Sequence, residues 1–155
     1  MLFLLFQIAN ERYAVEAGRV VEVMPLVNLR RLPQSVNGLA GLFNYRGHPV
    51  PAVDLSQLVV GRPCAAHLST RIVVVEYPES GGRKRLLGLI AERATEMLRT
   101  EPENFVETGL NGRIAPALGP IFMDSRGPVQ WLRERRLLPE NVEAVVFADE
   151  PGALP

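Results

Sequence analysis

Two series of short apolar segments follow one another in the same order along the chain, and this duplication restricts the fold more than any other feature. Residues 13–24 (YAVEAGRVVEVM) align with residues 87–98 (LGLIAERATEML). The identities are Ala17 with Ala91, Arg19 with Arg93, and Glu22 with Glu96. A second alignment places GLFNYRG, residues 41–47, over IFMDSRG, residues 121–127. Units this small cannot bury separate cores, so the pattern predicts two similar β units that share one core.

Apolar runs separated by turn residues predict four β-hairpins. These are residues 2–8 with 12–15, 39–45 with 49–53, 72–75 with 86–90, and 119–123 with 128–132. In the second hairpin, Gly47 of the turn Arg46-Gly47-His48 supplies the positive φ that a tight turn requires. Residues 59–68 contain Gly61 and Pro63, and we expect them to link the two halves.

Helices are expected to be few and short. The apolar spacing after Ala17 predicts a helical turn that ends at Pro25. Asp54 is expected to cap a helix that runs through Leu58. Residues 91–98 are expected to form one or two helical turns, and residues 148–155 a disordered tail.

Composition restricts the partners and the compartment. The 155 residues, 47% of them hydrophobic, suit one compact domain. Seventeen basic residues balance seventeen acidic ones, so neither nucleic acid nor an acidic membrane is the expected partner. Cys64 is the single cysteine, which excludes an internal disulfide. Gln7 interrupts the N-terminal apolar run and no basic residue precedes it, so we expect a soluble, cytoplasmic protein without membrane insertion.

The sequence contains no motif that indicates catalysis, a metal or a cofactor. His48 and His67 are far apart, and no HExxH, CxxC or phosphate-binding glycine loop occurs. His48 and Asp54 are interpreted as a turn residue and a helix cap. Because catalytic triads assemble in space, an enzymatic or small-molecule-binding β barrel stays open as the alternative function.

The segment GLFNYRGHPVPAVDL, residues 41–55, resembles the strand-turn-strand signature of CheW-like coupling domains. The resemblance extends to FLLFQIANERYAVEAGRVVEVM, STRIVVVEY and LLGLIAERATEML. It implies a mainly all-β fold of two packed SH3-like barrels, five-stranded, with a few short helices. Residues 1–148 would form one domain, with subdomain one over roughly 14–70, subdomain two over roughly 71–125, both termini contributing to both, and a disordered tail at 149–155.

The same resemblance implies a non-catalytic adaptor without a cofactor. Members of the family connect the cytoplasmic tip of a chemoreceptor to the regulatory domain of a CheA-type histidine kinase, at membrane receptor arrays. Within the family the chain is most similar to coupling proteins of Wsp-type surface-sensing pathways, through YRGHPVPAVDLS, the STR before the mid-chain strand, and LGPIFMDSRGPVQW. That subtype implies a pathway whose output is cyclic di-GMP.

Partner-binding residues follow from matching positions in the family pattern. The acid of its VxEV segment falls on Glu22 and the arginine of its turn on Arg46, and we expect these two side chains to form an ion pair facing the receptor. Tyr45 replaces the usual leucine, and is either an exposed contact or a filler of the barrel face. The other residues expected to contact the receptor or the kinase are Val20, Val23, Gly47, Glu96 and Met97.

Overall fold

The chain folds almost entirely into β structure. The computed structural model describes residues 1–31, 38–78, 82–108 and 116–147. Its strands are β1 (Leu2–Ile8), β2 (Glu11–Glu16), β3 (Val20–Pro25), β4 (Leu39–Tyr45), β5 (His48–Asp54), β6 (Arg71–Pro78), β7 (Lys84–Arg99), β8 (Leu118–Asp124) and β9 (Gly127–Leu132). The helices are α1 (Leu55–Val60), α2 (Glu140–Val146) and the 3-10 turns Ala17–Arg19, Pro102–Asn104 and Glu134–Arg136. The predicted disordered tail lies outside the described residues.

The four predicted hairpins are confirmed as the antiparallel pairs β1–β2, β4–β5, β6–β7 and β8–β9. The predicted cap is confirmed as well, because the Asp54 carboxylate accepts a hydrogen bond from the Gln57 amide at 3.1 Å. Helix α1 continues two residues past Leu58 and ends at Gly61, whose φ is +76°. A left-handed glycine at this position is a common helix stop.

Three predictions about local structure are wrong. Residues 17–24 form a 3-10 turn only at Ala17–Arg19, and the rest is strand β3. Residues 91–98 are not helical, because β7 continues through them to Arg99. In both places a neighbouring strand supplies the hydrogen-bond ladder, which outweighs the helical spacing of the apolar residues. Residues 59–68, predicted to link the two halves, instead complete α1 and begin the loop to β6 within one barrel.

The strands form two five-stranded units that share the long strand β7. The first unit has the order β3-β6-β7-β5-β4, and the second β7-β1-β2-β9-β8. Each contains one parallel pair, β5 with β7 and β2 with β9. A single β-bridge extends each unit. In the first unit Arg30, which follows β3, pairs with Leu42, and in the second unit Val106, which follows β7, pairs with Ile121. The predicted fold of two packed five-stranded barrels is confirmed.

The two halves of the sequence exchange hairpins between the barrels. Hairpin β1–β2 belongs to the second barrel, whereas β6 and the first half of β7 belong to the first. Strand pairing therefore does not follow the sequential division into residues 14–70 and 71–125. The exchange keeps the predicted duplication, because β3 corresponds to the second half of β7 and β4–β5 corresponds to β8–β9.

The exchanged hairpins also form the main core between the barrels. On β1, Leu4, Phe6 and Ile8 face this shared core, whereas Phe3 and Leu5 face the interior of the second barrel. The side chains of β6 alternate in the same way. Val73, Val75 and Tyr77 face the shared core, and Ile72 and Val74 fill the interior of the first barrel. Both faces of these strands are buried, which explains why their sequences are continuously apolar.

Candidate functional site

The β4–β5 turn holds Arg46 at the tip of the first barrel's hairpin. Tyr45 and His48 pair across a two-residue loop. Arg46 has a φ of +51° and Gly47 a φ of +85°. Two consecutive positive φ values are typical of the tight turns whose twist matches that of the flanking strands. The Asn44 side chain accepts a hydrogen bond from the Gly47 amide at 2.8 Å. The turn is therefore held by this side chain as well as by the pairing of the two strands.

Three side chains predicted to bind a partner meet at this turn. Arg46 Nη2 donates to Glu22 Oε1 at 3.1 Å, and the Tyr45 hydroxyl donates to the same oxygen at 2.8 Å. The Arg46 guanidinium also lies 5.4 Å from the centroid of the Tyr45 ring. The predicted ion pair is therefore present, and it joins β3 to the β4–β5 hairpin. The hydrogen bond to Glu22, followed by desolvation, raises the pKa of Tyr45.

Tyr45 fills the barrel face and also positions the carboxylate. Its ring is buried beside Phe43, with a centroid separation of 6.4 Å, and only 8% of the residue is exposed. The ring is thus part of the core of the first barrel and not an exposed contact. The hydroxyl alone reaches the surface, where it orients Glu22.

The ion pair adds little stability but presents two opposite charges to solvent. The Arg46 side chain is 76% exposed and that of Glu22 is 39% exposed. Exposed pairs of this kind contribute about 0 to 1 kcal/mol. Changing Arg46 should therefore alter the surface without unfolding the chain.

The valines of β3 do not all lie beside Glu22. Exposure alternates along this edge strand, so Val23, which is 38% exposed, lies on the opposite face from Glu22. Val20 is partly buried against the shared core. Val21 is 45% exposed, and the sequence interpretation missed it because residues 17–24 were expected to be helical. Strand alternation would have identified it.

A second Glu–Arg pair occupies the corresponding place in the second barrel. Arg126 Nη2 donates to Glu96 Oε2 at 2.8 Å, and both side chains are more than half exposed. The hydrogen bond from Arg126 lowers the pKa of Glu96. Glu96 is the repeat partner of Glu22, and Arg126 of Arg46. One sequence alignment matches Glu22 with Glu96 and the other matches Arg46 with Arg126, so the two together could have predicted this pair. Arg126 was nevertheless not predicted as a site residue.

The second turn has Ser125 at the position of Tyr45, and it also differs from the first turn at the residue before it. Asp124 stands where the first hairpin has Asn44, and it binds Arg12 through two hydrogen bonds of 2.9 and 2.5 Å. Arg12 also donates to the Gly127 carbonyl at 2.9 Å. The hydrogen bonds from Arg12 lower the pKa of Asp124 to about 2. Met97, next to Glu96, is 52% exposed.

No grouping of three His, Cys, Asp or Glu side chains that could hold a metal ion occurs in the described part of the chain. Within residues 1–31, 38–78, 82–108 and 116–147, no helix has the length and apolar character needed to cross a membrane. What the two pairs offer chemically is surface complementarity, with a carboxylate and a guanidinium held at fixed separation on each barrel.

Comparison with known proteins identifies relatives over most of the chain. The family described as CheW-like domain matches residues 2–141. The chemotaxis protein CheW of Helicobacter pylori is 27% identical over 97 residues, covering 63% of this chain and 56% of that protein. The chemotaxis protein CheW of Klebsiella aerogenes is 22% identical over 148 residues, covering 96% and 82% respectively.

Among solved structures, the scaffolding protein TtCheW from Thermoanaerobacter tengcongensis has the same fold. The TM-score is 0.79 at 20% sequence identity, over 91% of this chain and 89% of that protein. At this identity the likeness establishes the architecture of the two barrels, and the match to the family over residues 2–141 establishes membership.

Proposed function

Because the chain belongs to the CheW-like domain family, we propose that it couples a chemoreceptor to a CheA-type histidine kinase. It is a non-catalytic coupling protein of chemotaxis signalling and not an enzyme. The observation that carries the choice of partners is the Glu22–Arg46 pair, which joins β3 to the hairpin with the family signature. This pair supports a receptor-facing surface on the first barrel.

The proposed mechanism is to hold two partners at a fixed separation. Receptor conformation would then bias the kinase through the adaptor, without any bond being made or broken. The shared core between the barrels supports this role, because it fixes one barrel relative to the other. Of the residues predicted to contact receptor or kinase, we propose that Glu22, Val23, Arg46, Gly47, Glu96 and Met97 form the contact surface. Tyr45 positions Glu22, and Val20 packs against the shared core.

An Arg46→Glu variant tests the receptor-facing surface. The new carboxylate would lie beside Glu22 and repel it. The paired opposite charges that we expect the receptor to recognise would then be lost. We expect receptor-tip binding to fall at least about tenfold, which corresponds to about 1.4 kcal/mol. Binding is measured by sedimentation with membranes that carry the receptor hairpin.

The matched control is Arg99→Glu, because Arg99 is another exposed arginine and lies outside both Glu–Arg pairs. Circular dichroism should show the same folded spectrum for both variants. Normal receptor binding by Arg46→Glu would end the assignment, as would an equal loss in Arg99→Glu.

We further propose that the chain serves a Wsp-type pathway, acting in the cytoplasm at membrane receptor arrays and controlling cyclic di-GMP. The segments YRGHPVPAVDLS and LGPIFMDSRGPVQW support this narrower assignment. Deleting the gene should change cellular cyclic di-GMP and surface attachment while swimming chemotaxis stays intact. Loss of chemotaxis at unchanged cyclic di-GMP would instead assign the adaptor to flagellar steering.

A further inference from the structure

A polar cleft opens where the ladder between β1 and β7 is interrupted. Leu5 pairs with Glu96 and Gln7 with Glu92, so three residues of β7 lie opposite one residue of β1. Such a bulge leaves backbone groups outside the ladder and re-aims side chains. The cleft has a volume of about 570 Å³, and its polar lining consists of Gln7, Arg12, His67, Ser69, Arg93, Thr95, Glu96 and Arg126.

Arg93, in the middle of this bulge, has a strained backbone. Its φ is +50°, in the left-handed region that L-residues rarely adopt. The other non-glycine residues of the described chain with positive φ are Ala9, Asn10 and Arg46, all in hairpin turns. Arg93 alone among them lies inside a strand. Strain of this kind persists only where the surrounding structure enforces it, and it is concentrated at ligand sites.

Arg93 is the one arginine of the cleft without an acidic partner among the described residues. Asp124 neutralises Arg12, and Glu96 neutralises Arg126. His67 lies 3.6 Å from Glu92. The Arg93 side chain forms no hydrogen bond or ion pair with any of the described residues.

The repeat shows that this lack of a partner is specific to the second copy. Arg19, the counterpart of Arg93, lies 3.6 Å from the buried carboxylate of Glu134. Arg93 pairs with no acid among the described residues and instead lines the cleft. An anion from outside the chain would complete the second copy in the way that Glu134 completes the first.

We propose that this cleft binds a small, soluble, phosphate-bearing anion, with Arg93 as its main cation. A guanidinium binds phosphate through two parallel hydrogen bonds, and the hydroxyls of Ser69 and Thr95 with the Gln7 amide supply further donors. The volume is that of a small-molecule site. A peptide partner is less suited, because the cleft is a polar recess and the exposed apolar residue Met97 is not part of its lining.

Occupancy of the cleft would act on the second Glu–Arg pair. Arg126 lines the cleft and also binds Glu96. A bound phosphate would compete with the Glu96 carboxylate for the Arg126 guanidinium. Binding of the anion can be tested without any receptor or kinase, so its failure would leave the coupling function unaffected.

Titration calorimetry of the full chain with inorganic pyrophosphate at low ionic strength tests the proposal. We expect saturable binding at one site, weakened at least tenfold in Arg93→Gln and unchanged in Arg99→Gln, which removes an exposed arginine from the same strand. Arg93→Gly should also lose binding while keeping the fold, because glycine adopts the positive φ without strain. Circular dichroism checks the fold of each variant.

Absence of saturable binding to the wild-type chain would overturn the proposal, and so would equal weakening by Arg93→Gln and Arg99→Gln. Sedimentation with phosphatidylglycerol vesicles separates a soluble ligand from a lipid headgroup. We expect no sedimentation, and sedimentation that depends on Arg93 would overturn the assignment to a soluble anion.

Discussion

Tyr45 shows how one residue can serve the core and the surface together. Its ring packs in the first barrel and its hydroxyl fixes Glu22. Family resemblance was enough to predict the pairing of Glu22 with Arg46. It could not decide whether Tyr45 is exposed, because that depends on which face of β4 lies inside the barrel.

Removing the Tyr45 hydroxyl should affect both stability and receptor binding. In Tyr45→Phe the Glu22 carboxylate loses one of its two donors, and we expect a loss of about 1 kcal/mol in the free energy of unfolding. Urea denaturation measures the loss. Tyr13→Phe is the matched control, since the Tyr13 hydroxyl makes no hydrogen bond within the described residues. Equal losses in the two variants would show that the bond to Glu22 contributes nothing.

Asp124 should make the stability of the chain depend on acid pH. Its folded pKa of about 2 lies below the ordinary value of 3.8, so its contribution is complete above about pH 4 and is lost as the pH falls toward 2. Asp124→Asn should remove that part of the pH dependence, as measured by urea midpoints between pH 2 and pH 5. An unchanged slope in the variant would show that Arg12 does not stabilise the ionised carboxylate.

At the level of single elements, β7 is the strand on which both barrels depend. The helical spacing of apolar residues in 91–98 predicted a helix, but these residues are part of β7. The strand leaves one barrel and enters the other here, and its buried face changes at a bulge. The register of β1 with β7 shifts at that bulge. Sequence periodicity cannot reveal such a change, since the partner strands are distant in the chain.

Gly88 on β7 should not tolerate a side chain. A Cβ there would lie 2.5 Å from a ring carbon of Phe43 and 2.9 Å from a methyl carbon of Ile72. Gly88→Ala should therefore overpack the first barrel and cost about 1 to 3 kcal/mol in unfolding free energy. Gly18→Ala is the control, because nothing lies within 4 Å of its added Cβ. Equal stability of the two variants would contradict this packing.

For the whole molecule, the exchanged hairpins build the core that the two barrels share. The duplication and the two-barrel fold could be predicted from residues 13–24, 41–47 and their repeats. The exchange could not, because the alignment of two halves does not determine which half pairs with which. Only the pairing of β1 with β7 and of β6 with β3 decides it.

Unfolding should therefore occur in one transition. Trp131, the single tryptophan, packs at the aromatic cluster of the second barrel, with its ring 5.0 Å from that of Phe3. We expect its fluorescence to change at the same urea concentration as the far-ultraviolet circular dichroism of the whole chain. Separate midpoints would show that the barrels unfold independently and that the shared core does not couple them.

As the proposed adaptor, the chain would physically connect receptor and kinase. The most direct measurement is sedimentation of receptor-bearing membranes with the purified kinase regulatory domain, with and without the chain. We predict that the kinase domain sediments only when the wild-type chain is present, and that Arg46→Glu abolishes this effect while Arg99→Glu does not. Kinase sedimentation that is the same with and without the chain would show that the chain does not couple the two partners.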